Sequence, residues 1–151
     1  MSLLGLIFTL FALAGGALIA LQAPINAEAA VRLGHPLAAA TMSFCAGTVA
    51  LFIVTSLFVR QDVNLAALKT MPLYLLLGGG LLGAFFVTAN TVLAPRIGIA
   101  AIMALVITGQ LSAALLLDRY GAFGLVEREL SLGRVGGTAM VLAGALMVRY
   151  L

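Results

Sequence analysis

The chain has 151 residues, of which 64% are hydrophobic and only 9% are charged. Soluble domains carry roughly 25% charged residues, so most of this surface must face lipid rather than water. The net charge of +3 does not indicate nucleic-acid binding. The basic residues stand singly at the ends of apolar runs, where such side chains anchor helices at the lipid headgroups.

Five apolar runs, separated by charged residues, predict five transmembrane helices. The first four are about 20 residues or longer, enough to cross a hydrocarbon core of about 30 Å. The fifth spans if Arg134 and Arg149 extend to the headgroups; a re-entrant or interfacial helix is the alternative. We expect an all-α polytopic protein, with residues 1–151 forming a single membrane domain. Its approximate helices are 3–31, 36–59, 71–94, 97–117 and 133–150.

The first helix carries two amides, Gln22 and Asn26, one turn apart on one face. Pro24 lies between them, removes a backbone donor and can expose carbonyl oxygens. Amides inside a membrane need a partner or a function. We predict that both amides line a substrate path. Alternatively, they form hydrogen bonds between helices, or they mark the point where the first helix leaves the hydrocarbon core.

Two further amides, Asn90 in the third helix and Gln110 in the fourth, lie deep in apolar runs. We predict that both line the path, Gln110 most of all, because no water reaches the middle of an apolar span. Ser43 in the second helix is a weaker candidate. The alternative is a hydrogen bond between helices, worth about 1 kcal/mol.

Glu28 is the one acid near a span that does not lie in an obvious loop. A carboxylate buried in a membrane protein is a natural site for coupling to protons or cations. Arg32 follows four residues later, in the favourable order for an ion pair on a helix. The sequence leaves both interpretations open: a coupling acid, or an interfacial ion pair.

The 17 glycines include pairs at the four-residue spacing that lets helices approach closely. Gly79 and Gly83 form such a pair in the third helix, and Gly133 and Gly137 form another in the fifth, with Gly144 seven residues further on. We predict that these glycines serve helix packing, and that the stripe on the fifth helix is a dimer interface.

Nothing in the sequence predicts an enzyme, a metal site or a cofactor. The single histidine, His35, lies in a turn and has no second ligand at metal-binding spacing. The single cysteine, Cys45, lies in an apolar run with no base near it in sequence.

Five spans place the two termini on opposite sides of the membrane. Five of the eight basic residues then fall on the N-terminal side and three on the other. The positive-inside rule favours a cytoplasmic N-terminus, but this bias is small enough to leave insertion in both orientations open. An antiparallel pair of such chains would form an inverted-topology repeat, an architecture of many transporters.

Several short motifs, taken in order and spacing, resemble the YdcZ-type five-helix family of bacterial inner-membrane proteins within the drug/metabolite transporter superfamily. They are Gln22-x-x-x-Asn26; His35-Pro36 leading into Ser43-Phe44-x-x-Gly47; Leu77-Gly78-Gly79-x-x-x-Gly83-Ala84-Phe85; Pro95-x-x-Gly98-x-Ala100; Gly109-Gln110-Leu111, with Asp118-Arg119-Tyr120-Gly121; and Arg134-x-x-Gly137.

This resemblance implies half of an inverted-repeat ten-helix transporter, which moves a small organic solute by alternating access. It implies an antiparallel homodimer, or a heterodimer with a paired homologous chain, with the path between subunits near the bilayer midplane. A dimeric channel and a non-transporting membrane subunit that assembles with a partner protein are the alternatives. The related small multidrug family has a glutamate in its first helix where this chain has Gly15-Gly16, so coupling of that type is not expected.

Overall fold

The computed structural model describes residues 3–151 and has five long α-helices and no strand within that range. The helices are α1 (Leu3–Leu33), α2 (Pro36–Val54), α3 (Leu73–Ile97), α4 (Ile99–Arg119) and α5 (Leu132–Tyr150). A π-helical turn, Thr55–Val59, continues α2, and short 3₁₀ turns occupy Leu65–Lys69 and Ala122–Gly124. All five helices are long and apolar enough to span a membrane. This confirms the all-α class and the five predicted spans.

Two helices contain a proline and continue past it. α1 contains Pro24 and ends at Leu33, and α3 contains Pro95 and ends at Ile97. The residue after each end is a glycine with a left-handed backbone, Gly34 at φ +78° and Gly98 at φ +80°. A proline removes one backbone donor, whereas a left-handed residue turns the chain off the helix axis.

The fifth and shortest span is a complete helix. Its 19 residues extend about 28 Å at 1.5 Å per residue, close to the thickness of the hydrocarbon core. The helix begins at Leu132, and the hydroxyl of Ser131 accepts a hydrogen bond from the backbone N–H of Arg134 at 3.3 Å. This N-cap satisfies a backbone donor that no residue inside the helix can pair.

The chain divides into two compact units. The first extends to Pro95, and α1 packs along α2 within it. Its buried residues lie in the C-terminal parts of α1 and α3 and in the first turns of α2; they are Ala23, Asn26, Ala39, Ala40, Val87, Asn90, Thr91 and Ala94. The boundary falls within one continuous helix, α3, so the single membrane domain expected from the sequence stays a prediction.

The second unit, Arg96–Leu151, is a hairpin in which α4 packs against α5. The connection folds back on the end of α4, because the backbone N–H of Arg128 donates to the carbonyl oxygen of Asp118 at 2.8 Å. The Asp118 carboxylate also pairs with the Arg134 guanidinium at the start of α5. The connection between the fourth and fifth spans is therefore held at both ends.

Candidate functional site

Two of the predicted path residues, Asn26 and Asn90, are almost completely buried, at 4% and 5% exposure. Both belong to the first unit, Asn26 on α1 and Asn90 on α3. Each lies seven residues before the last residue of its helix, about 10 Å along the axis. Asparagine is rarely buried unless its polar atoms are paired, so each of these two positions calls for a hydrogen-bonding partner.

Ser43 lies at about the same depth as Asn26 in the α1–α2 hairpin. It is half-buried and stands seven residues after the start of α2, as Asn26 stands seven before the end of α1. Only Gly34 and His35 separate the two helices, and His35 caps α2 by accepting a hydrogen bond from Leu37 N–H at 3.2 Å. In antiparallel neighbours, positions equally distant from a tight turn lie at the same depth.

Neither asparagine side chain forms a hydrogen bond to any other residue in the described range 3–151. No side-chain nitrogen or oxygen in that range is both fully occluded and unpaired. The carboxamide atoms therefore open onto accessible space instead of ending in a dry core. By contrast, the hydroxyl of Thr91, beside Asn90, donates to the Val87 carbonyl oxygen at 2.8 Å and is satisfied within its own helix.

The chemistry available here is that of neutral amides. A carboxamide offers two N–H donors and a carbonyl acceptor and carries no charge. The two asparagines and the Ser43 hydroxyl can therefore bind hydroxyl, amide, carbonyl or amine groups of a solute, while the surrounding alanines and Val87 contact its apolar parts. No group of three or more possible metal ligands occurs among residues 3–151.

The two glutamines predicted to line the path lie elsewhere. Gln22 and Gln110 are both exposed on the surface of the single chain. Gln110 lies about 17 Å from the start of α4, in the middle of the helix. Its neighbours Thr108 and Ser112 satisfy their hydroxyls within α4, by donating to Ala104 and Thr108 carbonyl oxygens. Gln110 belongs to the second unit and the asparagines to the first, and the role of Gln110 in a path stays a prediction.

Glu28 forms the ion pair that its spacing predicts. Its Oε1 accepts from Arg32 Nε at 2.9 Å, and both side chains are well exposed. Because the carboxylate already has a cation and water-accessible surface, its position matches that of an interfacial residue. A role in coupling stays a prediction.

Sequence reasoning missed a second ion pair, between Asp118 and Arg134. Both side chains are about 30% exposed, so this pair is more shielded than Glu28–Arg32. The indication in the sequence was an acid at the last turn of one apolar run and a base at the first turn of the next. The 15 residues between them gave no way to tell that the connection folds back.

The predicted packing glycines differ in their surroundings. At Gly83, a β-carbon would lie 3.1 Å from the Phe44 ring, so this position brings α2 and α3 close together. Gly79, Gly137 and Gly144 have no atom within 4 Å of that point, and Gly133 has only the Ser131 hydroxyl at 4.0 Å. Among these five predicted packing glycines, only Gly83 lies close to a neighbouring helix, and the dimer interface predicted for the stripe on α5 stays a prediction.

The chain matches a known protein family. The family described as "Putative inner membrane exporter, YdcZ" matches residues 7–147, which include α2, α3 and α4 in full, most of α1 and α5, and every candidate path residue. None of the curated proteins and none of the solved structures compared with the chain matches it.

Proposed function

The chain belongs to the YdcZ family of multi-pass inner-membrane exporters, and from this membership we propose that it exports a small organic solute by alternating access as an antiparallel homodimer. The observation that carries the proposal is that two carboxamides, Asn26 and Asn90, are almost completely buried yet form no hydrogen bond within residues 3–151. Their polar atoms are not fully occluded, so each can offer hydrogen bonds to a solute. A hydrogen bond of this kind contributes about 0.5–1.5 kcal/mol.

The chemistry of the pair favours an uncharged or weakly polar solute. No Asp, Glu, Lys or Arg lies between Arg32 and Arg60, or between Lys69 and Arg96, so the spans around Ser43 and Asn90 supply no permanently charged counter-ion. Neutral amides discriminate by hydrogen-bond geometry, and a site built to bond a polar group rejects analogues that lack it.

The antiparallel dimer follows from two features of the single chain. An odd number of spans with a small charge bias permits insertion in both orientations. Gln110 also presents an amide at mid-helix with no partner among residues 3–151, and lipid cannot bond to it. A second subunit supplies a partner at that depth, and the pair forms an inverted repeat around a central path.

The test is transport by the purified chain reconstituted alone in liposomes. Solutes that raise the melting temperature of the detergent-solubilised chain are first selected from a panel of small polar organic compounds. The best of them is then radiolabelled, and we expect saturable uptake together with counterflow. Ohmic single-channel currents would show a pore instead, and absence of any transport would indicate a subunit that needs a partner protein.

Substitutions of the two buried asparagines test whether these residues bind the transported solute. Asn26→Ala and Asn90→Ala should each raise the solute concentration at half-maximal uptake about tenfold, because each removes a hydrogen-bonding group worth about 1–2 kcal/mol. Asn64→Ala is the matched control, since Asn64 is an exposed amide outside the spans whose side chain caps no backbone group. Equal uptake by all three variants would contradict the assignment of the site.

A further inference from the structure

The end of α2 forms a cavity that the transport proposal does not use. The π-helical turn and the connection after it form an open pocket of about 490 Å³. Its walls are Phe52, Thr55, Ser56, Arg60, Val63 and Leu65. One guanidinium and two hydroxyls therefore share a pocket with three apolar side chains, which is the composition expected for an amphiphilic ligand.

The polar groups of this pocket are free to bind a ligand. Five threonines in the α-helices donate their hydroxyls to the carbonyl oxygen four residues earlier; they are Thr9, Thr41, Thr91, Thr108 and Thr138. Thr55 and Ser56, in the π turn, make no such bond, and Arg60 has no ion pair with any residue in the described part of the chain. π turns inside helices occur frequently at functional sites.

The pocket also lies at the depth of the lipid headgroups. α2 and its π turn together have 24 residues, about 36 Å, so Thr55–Arg60 falls at the far end of the span from His35. Basic residues at this level interact with anionic lipid phosphates, and arginine matches phosphate geometry with two parallel hydrogen bonds. Phe52 lies one turn deeper, where acyl chains begin.

From this arrangement we propose that the pocket binds the phosphate of a membrane phospholipid. Arg60 and the hydroxyls of Thr55 and Ser56 hold the phosphate oxygens, and Phe52, Val63 and Leu65 contact the glycerol and upper acyl region. The bound lipid fixes the end of α2 at the interface. This site is independent of the asparagine pair and of the transport proposal.

The experiment measures lipid retention by native mass spectrometry of the full chain, released from detergent micelles with added palmitoyl-oleoyl phosphatidylglycerol. Wild type should retain one lipid tightly. Arg60→Gln should weaken retention about fivefold, the effect expected for one basic residue near the surface. Thr55→Val should weaken it as well, and Arg60→Lys should fall between Arg60→Gln and wild type because it keeps the charge and loses the paired bonds.

Lys69→Gln is the matched control, since Lys69 lies in the same connection, carries the same charge and does not line the pocket. Equal weakening by Arg60→Gln and Lys69→Gln would show diffuse attraction and overturn the proposal, as would unchanged retention in Thr55→Val. Millimolar inorganic phosphate is added in a second arm. Displacement of the lipid by free phosphate would assign the pocket to soluble phosphate compounds and overturn the assignment to lipid.

Discussion

At Gly121 the chain leaves the end of α4 with a backbone φ of +57°. A β-carbon there would lie 2.7 Å from Glu127 Cγ and 3.1 Å from the Leu125 carbonyl oxygen. The left-handed conformation alone costs an L-residue about 1–2 kcal/mol. Because the Leu125 carbonyl oxygen belongs to the backbone, it cannot easily move away from a β-carbon. The loop between the fourth and fifth helices therefore depends on glycine at this position.

We expect Gly121→Ala to lower the free energy of unfolding by about 2 kcal/mol, measured by denaturant titration in detergent micelles. Gly136→Ala is the control, because Gly136 lies inside α5 with no atom within 4 Å of a β-carbon. Alanine should stabilise that helix slightly through its higher helix propensity. Equal effects at both positions would contradict the requirement for a left-handed residue at Gly121.

Gln110 gives a second prediction for a single residue. Its amide is exposed at mid-helix and has no partner among residues 3–151, so on the dimer proposal it bonds to the second subunit. Gln110→Leu should raise the dissociation constant of the dimer about threefold or more, since such bonds are worth about 0.6 kcal/mol on average. The dissociation constant is measured by energy transfer between labelled chains in vesicles. Gln61→Leu is the control, because Gln61 lies outside the spans. An unchanged dimer with intact transport would remove Gln110 from the interface.

At the level of elements, the α4–α5 hairpin contains an ion pair whose charges oppose the helix dipoles. Asp118 lies in the last turn of α4 and Arg134 in the first turn of α5. Negative charge is unfavourable at a helix C-terminus and positive charge at an N-terminus, each by about 0.3–1 kcal/mol. Their mutual attraction, and the bond from Arg134 to the Glu129 carbonyl oxygen, offset this cost and hold the two helix ends together.

Exchanging the two charges tests whether the attraction between Asp118 and Arg134 offsets their unfavourable interaction with the helix dipoles. Asp118→Asn and Arg134→Gln should each lower the free energy of unfolding by about 1 kcal/mol, because a partly shielded charge loses its partner. The double variant Asp118→Arg with Arg134→Asp should recover wild-type stability or exceed it. Both charges then agree with the dipoles, and an aspartate three residues after Ser131 makes a capping pair. A double variant no better than the single ones would exclude direct pairing.

The sequence predicted the number and the type of the helices, but it did not predict the π turn, the ion pair between α4 and α5 or which amides are buried. Long apolar runs have no stable alternative to helix in a bilayer, so the number and class of elements followed from hydropathy. The π turn at Thr55–Val59 leaves no mark in hydropathy, and the pairing of Asp118 with Arg134 joins residues 16 positions apart in sequence. Among the amides, polarity alone did not separate buried Asn26 and Asn90 from exposed Gln22 and Gln110, because burial depends on which face packs.

At the scale of the whole molecule, the distribution of basic residues controls how the chain enters the membrane. On the proposed topology, Arg60, Lys69, Arg119, Arg128 and Arg134 lie on the N-terminal side and Arg32, Arg96 and Arg149 on the other. Topology follows the difference in Lys and Arg between the two sides, counted near the spans. With five against three, removing two charges from the N-terminal side abolishes the bias, and removing two from the other side strengthens it.

The orientation of the chain is measured with two reporters fused to the C-terminus. One reporter is active only in the periplasm and the other only in the cytoplasm. An antiparallel homodimer needs both orientations, so wild type should give activity with both reporters. Lys69→Gln with Arg128→Gln should move the ratio toward a cytoplasmic C-terminus, and Arg32→Gln with Arg149→Gln, which removes the same number of charges, should move it the opposite way. Activity with one reporter only, unchanged by either pair, would fix a single orientation. The chain would then need a partner of opposite topology to form an inverted repeat.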